Sequence, residues 1–224
     1  MLSEDNRYYV CALANAIYMK ADWVNKFEKE GTYKENFTDI NGDESEIDFM
    51  HQAAAFQYYE NGDTKAVKLP YENGLSMVVV LGDTKNILND IHNNKMTSKL
   101  VDVSLPKFKA EYSIDYVNIL KNMGIEKAFD NQNADFSLML ENYPERIKID
   151  SVLQKAMIDV DEKGTEAAAA TVAVLTKSAL SVDEEVIEFR ADKPFTYYIL
   201  DDSGNVYFAG RYVKACLLYT SPSP

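Results

Sequence analysis

The sequence predicts an α+β fold in which antiparallel strands dominate and helices are few. Three observations carry that expectation. Apolar or alternating runs of strand length recur along the chain, for example Leu75-Ser76-Met77-Val78-Val79-Val80-Leu81. Asn-Gly pairs at 41–42, 61–62 and 73–74 fall between those runs, where tight turns need residues that tolerate a positive φ. Helical spacing is confined to two short stretches. With 46% hydrophobic and 12% aromatic residues in 224, the chain has ample material for a core.

Taken in order, residues 8–19 are apolar enough for a strand buried on both faces, with Asn15 as the one polar intrusion. A buried asparagine must find partners. Residues 28–48 are charged and interrupted by glycine, which suits solvent-facing antiparallel strands turning at Asn41-Gly42-Asp43. Residues 55–60 turn at Asn61-Gly62-Asp63 into 64–69, and Tyr71-Glu72-Asn73-Gly74 turns into 75–81. Ile87, Leu88, Ile91 and Met96 have loose helical spacing. Residues 102–108 read as a strand again, with Pro106 at a bend where the chain leaves one sheet for another. Val117, Leu120 and Met123 mark an amphipathic helix over 115–123 that stops at Gly124. Residues 152–161 form a further strand.

The formal charge of −13 opposes nucleic acid, anionic membranes and polyanionic cofactors as main partners. No apolar run approaches the length that crosses a bilayer, and residues 1–7 lack a basic-then-apolar signal pattern. Two histidines, His51 and His92, are all that a catalytic triad or metal site could draw on, and no Gly-x-Ser-x-Gly, paired-histidine or Cys-x-x-Cys pattern accompanies them. Nothing proposes an enzyme, a metal or a cofactor. Cys11 and Cys216 form no disulfide framework. Asn36-Phe37-Thr38 is a glycosylation sequon, weak as a sign of secretion because such matches arise by chance.

The chain's most informative stretch is Glu162-Lys163-Gly164-Thr165-Glu166-Ala167-Ala168-Ala169-Ala170-Thr171. Propensity favours a helix: Thr165 can cap it, Glu166 suits the dipole, and four alanines follow. A second reading rests on how small the side chains are. A segment that must slide between two formed strands can carry no bulk and no proline at its leading end, and Gly164 gives its base freedom to swing.

That run, preceded by Val160-Asp161, resembles the hinge of the serpins, serine protease inhibitors that trap their target by inserting a cleaved loop. Two further motifs agree in order. Phe189-Arg190-Ala191-Asp192-Lys193-Pro194-Phe195, Tyr197-Tyr198-Ile199 and Val206-Tyr207-Phe208-Ala209-Gly210-Arg211 are similar to the family signature and its closing strands. Leu13-Ala14-Asn15-Ala16-Ile17-Tyr18-Met19-Lys20-Ala21-Asp22-Trp23 with Phe27 resembles a main-sheet strand and the turn after it, and residues 102–108 a central strand of that sheet. The resemblance covers residues 1–213 and implies a partial serpin domain whose earlier helices and strands are missing, with an exposed reactive-centre loop at about 162–186. Residues 214–224 depart from the family pattern and read as a non-native or disordered tail.

The resemblance implies a suicide-substrate inhibitor of a serine protease, monomeric when full-length, with no catalyst of its own. The alternatives are a non-inhibitory serpin with a binding or chaperone role and an inactive truncated fragment. If the run inserts as a strand, Thr165, Ala167, Ala169 and Thr171 face inward and Glu166, Ala168, Ala170 and Val172 outward, so every inward residue is small. Asn15, Trp23, Lys107 and Gln154 match positions where the main sheet opens. Lys107 is expected to pair with Glu162. Gln154 stands where many serpins have histidine, and it cannot titrate near neutral pH.

Serpins present the residue read by the protease fourteen positions beyond the hinge glycine, which from Gly164 reaches Ser178 and a Ser178-Ala179 bond. That bond suits elastase-like or subtilisin-like pockets. The rival is Lys177-Ser178, for a trypsin-like enzyme. The resemblance implies an extracellular protein, with a cytoplasmic one as the alternative. Without the upstream elements, the faces of residues 8–19 and 75–81 are expected to lose their cover and the chain to be poorly soluble or oligomeric.

Overall fold

The structure, a computed structural model, describes residues 11–139, 147–164 and 186–215. The chain divides into two compact units, one of residues up to Met19 with Ala110–Ile158, the other of Lys20–Lys109 with the residues from Asp159 on.

In the larger unit the strands form an eight-stranded sheet, and the turn signals explain its order. β2 (Tyr33–Thr38) and β3 (Glu44–Asn61) pair antiparallel through the turn at Gly42, whose φ is 88°. β3 returns as β4 (Thr64–Pro70), with Asn61 opposite Thr64 and Gly62 at φ 60° between them. β4 returns as β5 (Leu75–Leu81) through Gly74 at φ 81°. β5 then pairs with β10 (Phe195–Asp201), and β10 with β11 (Val206–Tyr212). On the other side β3 pairs antiparallel with β6 (Thr97–Pro106), which carries β9 (Ile187–Arg190) as a parallel edge strand. The path β11-β10-β5-β4-β3-β6-β9, with β2 on β3, places β5 in the interior of the sheet.

β5 is accordingly the buried heart of this unit: Met77, Val78 and Val79 are wholly inaccessible. Its β-branched run fits a strand flanked on both edges, and each buried valine stabilises by roughly 1.5–3 kcal/mol. Val78 and Val80 pack with Tyr59, Ala66, Leu200 and Ile87, the last from α1 (Ile87–His92), and Asp90 of that helix accepts hydrogen bonds from the Tyr59 hydroxyl and Lys95. Phe108, Phe195, Tyr197 and Tyr212 form a cluster of tilted and edge-on rings. The expectation that residues 75–81 lose their cover is therefore corrected: β4 and β10 flank them and α1 packs against them.

The smaller unit holds a three-stranded sheet in the order β1 (Ala12–Tyr18), β8 (Ser151–Val160), β7 (Phe108–Asp115). β1 and β8 run parallel, with Asn15 opposite Gln154. The expected double burial of residues 8–19 does not hold for β1, where Leu13 is 47% and Tyr18 46% exposed, nor is Asn15 buried. β1 is an edge strand with one neighbour, and α2 (Val117–Asn122) has no buried residue of its own. α2 occupies the expected place, ends at Gly124 with φ 94°, and lacks the buried face that its spacing suggested.

Pro106 ends β6, as its inability to donate a hydrogen bond requires, and the chain enters the three-stranded sheet as β7. The expected bend at Pro106, where the chain leaves one sheet for another, is found, while the likeness of 102–108 to a central strand of the same sheet as β1 is corrected, because the run up to Pro106 pairs in the eight-stranded sheet.

Candidate functional site: the base of the hinge

β8 delivers the chain to the hinge at Val160, and the next four residues fold into a tight turn in the larger unit. The Asp161 amide donates to the Gly164 carbonyl at 3.1 Å, the Gly164 amide to the Asp161 carbonyl at 3.2 Å, and the Lys163 amide to Asp161 Oδ1 at 2.9 Å. The turn is stitched to Asp22–Phe27 by three more bonds: the Trp23 amide donates to the Lys163 carbonyl, the Phe27 amide to the Glu162 carbonyl, and Trp23 Nε1 to the Asp161 carbonyl, each at 2.9 Å.

Trp23 is the floor of this site. Only 1% exposed, it stacks on Tyr71 with centroids 4.2 Å apart and an interplanar angle of 11°, and meets Phe27 edge-on. Its burial alone would suit any core tryptophan, but its indole N–H is spent on the hinge backbone. Backbone bonds from Val24 to Pro70 and from Glu72 to Asp22 fix the same segment to the β4–β5 turn.

Gly164 is required by both conformation and space. Its φ is +128°, and a Cβ there would lie 2.2 Å from the Ala21 carbonyl oxygen and 2.6 Å from Asp22 Cα and Trp23 N. All three are backbone atoms that cannot swing aside.

Glu162 and Lys107 pair as expected, with Lys107 Nζ 3.0 Å from Oε1 and 2.9 Å from Oε2 of Glu162. The Thr32 hydroxyl donates to Oε1 at 3.0 Å. The Glu162 side chain is 7% exposed and that of Lys107 36%, so the carboxylate is the buried partner and the small value of an exposed pair does not apply. Burial works against the charge of Glu162. The ammonium of Lys107, the backbone amide and the Thr32 hydroxyl outweigh it and hold the carboxyl below its ordinary range.

Of the residues predicted from sequence, Glu162, Lys163, Gly164, Trp23 and Lys107 thus converge on one place, while Asn15 and Gln154 face each other across the β1–β8 ladder in the smaller unit. Thr165, Glu166, Ala167, Ala168, Ala169, Ala170 and Thr171, and the bond candidates Lys177, Ser178 and Ala179, lie outside the described residues. Sequence reading missed Thr32 and Tyr71 as members of the hinge base, while Asp161 belonged to the quoted hinge run without a stated role. Tyr71 carried a signal only as a turn residue before Asn73-Gly74. Among the described residues no group of histidine, cysteine and carboxylates is arranged to hold a metal, and no helix is long and apolar enough to cross a membrane.

A family model described as serpin (serine protease inhibitor) matches residues 2–215. The chain belongs to the serpin family. It is 37% identical over 216 residues to an uncharacterized serpin-like protein of Thermococcus kodakarensis, covering 89% of this chain and 48% of that one. With Serpin B11 of Mus musculus it shares 32% identity over 221 residues, 92% of this chain and 56% of the relative. The solved native structure of tengpin, a thermophilic serpin, matches at a TM-score of 0.75 and 29% identity, over 90% of this chain and 55% of that one. The chain spans about half the length of the curated relatives it matches. Its sheet-rich architecture with two short helices among the described residues is that of the serpin fold.

Proposed function

We propose that this serpin sequence serves in a suicide-substrate inhibitor of a serine protease, in which the run from Thr165 inserts as a strand after the bait bond is cut. The observation that carries the reading is the hinge base: Gly164 sits where no side chain fits, against Ala21, Asp22 and Trp23, immediately before a run in which every second residue is Thr or Ala. The protease serine attacks the bait carbonyl and its leaving amine departs, leaving an acyl-enzyme. The freed segment 165–178, about 45 Å long when extended, then carries the acylated protease with it as it joins the sheet. New backbone hydrogen bonds and buried area drive the step, so the uncut molecule is held by a kinetic barrier.

The target is an elastase-like or subtilisin-like enzyme cutting Ser178-Ala179, or a trypsin-like enzyme cutting Lys177-Ser178. The full-length protein acts as a monomer, outside the cell or, as the alternative, in the cytoplasm. A full-length serpin carrying this sequence, mixed with each protease class, is expected to give a complex that survives denaturing gel electrophoresis. A released peptide that begins at Ala179 selects the first bond and one that begins at Ser178 the second. Absence of any gel-stable complex, with the loop cut and the protease still active, leaves a binding or chaperone serpin as the better reading.

A further inference from the structure

The eight-stranded sheet carries a polar cluster around His51 that the inhibitory reading does not use. Arg190, the last residue of β9, reaches Glu35 of β2 at 2.6 Å, so the two edge strands are strapped together across β6 and β3. Under the strap lies His51 of β3. Its Nδ1 is 3.0 Å from Ser104 Oγ, its ring stacks on Tyr33 at 4.1 Å and 3°, and its Nε2 is buried without a hydrogen bond, 3.9 Å from Glu35 Oε1. A carboxylate facing Nε2 favours the tautomer with hydrogen there, so the Ser104 hydroxyl donates to Nδ1.

β9 is a short edge strand. Its ladder to β6 is four residues long, and within it Glu188 lies directly opposite Asp102, two like charges. Phe189, opposite Val103 and wholly buried, anchors it, and just beyond the strand the Ala191 amide donates to the Ser104 carbonyl and the Thr38 amide to the Asp192 carbonyl, each at 2.9 Å. We infer that His51 is an acid-sensitive latch for β9: a proton on its ring makes it a competitor of Arg190 for Glu35 and a second cation beneath the guanidinium, and the edge strand loosens.

The charged groups that act on the ring come from each neighbouring strand: Glu35 from β2, Asp102 from β6 and Arg190 from β9. The 3-10 turn Lys29–Gly31 passes the backbone of β3 here, where a side chain at Gly31 would meet the His51 carbonyl oxygen at 3.5 Å. Burial holds the ring below the ordinary histidine value of 6.5, Glu35 and Asp102 oppose that shift, and Arg190 adds to it. The native state therefore binds fewer protons here than the unfolded chain once the pH is below 6.5, and this contribution to stability falls as the pH falls.

The latch requires no inhibitory activity and is tested on the chain as it is. Hydrogen exchange of the segment 187–190, corrected for intrinsic rates, is expected to accelerate about tenfold from about pH 7.5 to about pH 5, while 75–81 stays protected. His51→Gln keeps a partner for Ser104, cannot titrate, and should flatten that response. Glu35→Gln should expose 187–190 already at the higher pH. Should either variant fail to fold, the unmodified chain still decides: the NMR titration of the His51 ring should coincide with shifts in the β9 amides. A β9 response that is absent, that survives His51→Gln, or that follows a different titration overturns the latch.

Discussion

β1 and β5 are both short apolar strands, Ala12-Leu13-Ala14-Asn15-Ala16-Ile17-Tyr18 and Leu75-Ser76-Met77-Val78-Val79-Val80-Leu81, yet one is largely exposed and the other is the most buried strand of the protein. Apolar content alone does not decide this. Topology does: β5 has β4 and β10 on its two edges and Ile87 packed against it, whereas β1 has β8 on one edge and belongs to a sheet of three. An apolar run becomes core only where other elements of the same unit arrive to cover it.

The largest effect expected from that contrast is in β5. Met77→Ala empties a wholly buried site and should lower unfolding free energy by about 2–5 kcal/mol in denaturant titrations. Trp23, the only tryptophan, reports that transition by fluorescence from inside the same unit. A loss no greater than that of a surface substitution would show that the interior of the larger sheet is not its stability core.

Gly164→Ala comes next. Its φ alone costs a β-carbon residue about 1–3 kcal/mol, and overlap with the Ala21 and Asp22 backbone adds to that. The loss should be accompanied by a red shift of the Trp23 emission as the turn leaves its floor, and an unchanged spectrum would mean that the turn is not held there.

Lys107→Met is smaller, about 1–3 kcal/mol, because it strands the buried Glu162 carboxylate. The sign of its pH dependence follows from the lowered pKa of Glu162. The pair contributes stability above the ordinary value of 4.5, and loses it as the pH falls through the lower folded value. The difference between the unmodified protein and the variant should therefore shrink in acid. Smallest is Leu13→Ala in β1, within about 0.5 kcal/mol, since the side chain is already half in water. A loss as large as that of Met77→Ala would erase the contrast between the two strands.

Local signals made the hairpins legible: Gly42, Gly62 and Gly74 all take the positive φ that their Asn-Gly pairs announce, and Pro106 marks the end of β6. The parallel pairs β1–β8 and β6–β9 were not readable, because their partners are separated by long stretches of chain and no turn signal joins them. At the site, Glu162, Gly164, Trp23 and Lys107 were found through motifs. Thr32 and Tyr71 were not, since a threonine and a tyrosine in alternating segments look like any strand or turn residue until the fold brings them to Glu162 and Trp23. The burial of β1 was misjudged for the reason that separates it from β5: hydrophobicity records what a strand can bury, not what comes to cover it.

The central claim is that the hinge base launches an insertable strand. Thermal unfolding of a full-length serpin carrying this sequence, before and after its loop is cut between residues 175 and 183, tests it most directly. Insertion adds a strand's ladder of hydrogen bonds and buries Thr165, Ala167, Ala169 and Thr171, so the cut protein should melt well above the intact one, and Thr165→Arg should slow that gain. A cut protein that melts at or below the temperature of the intact one would contradict the account.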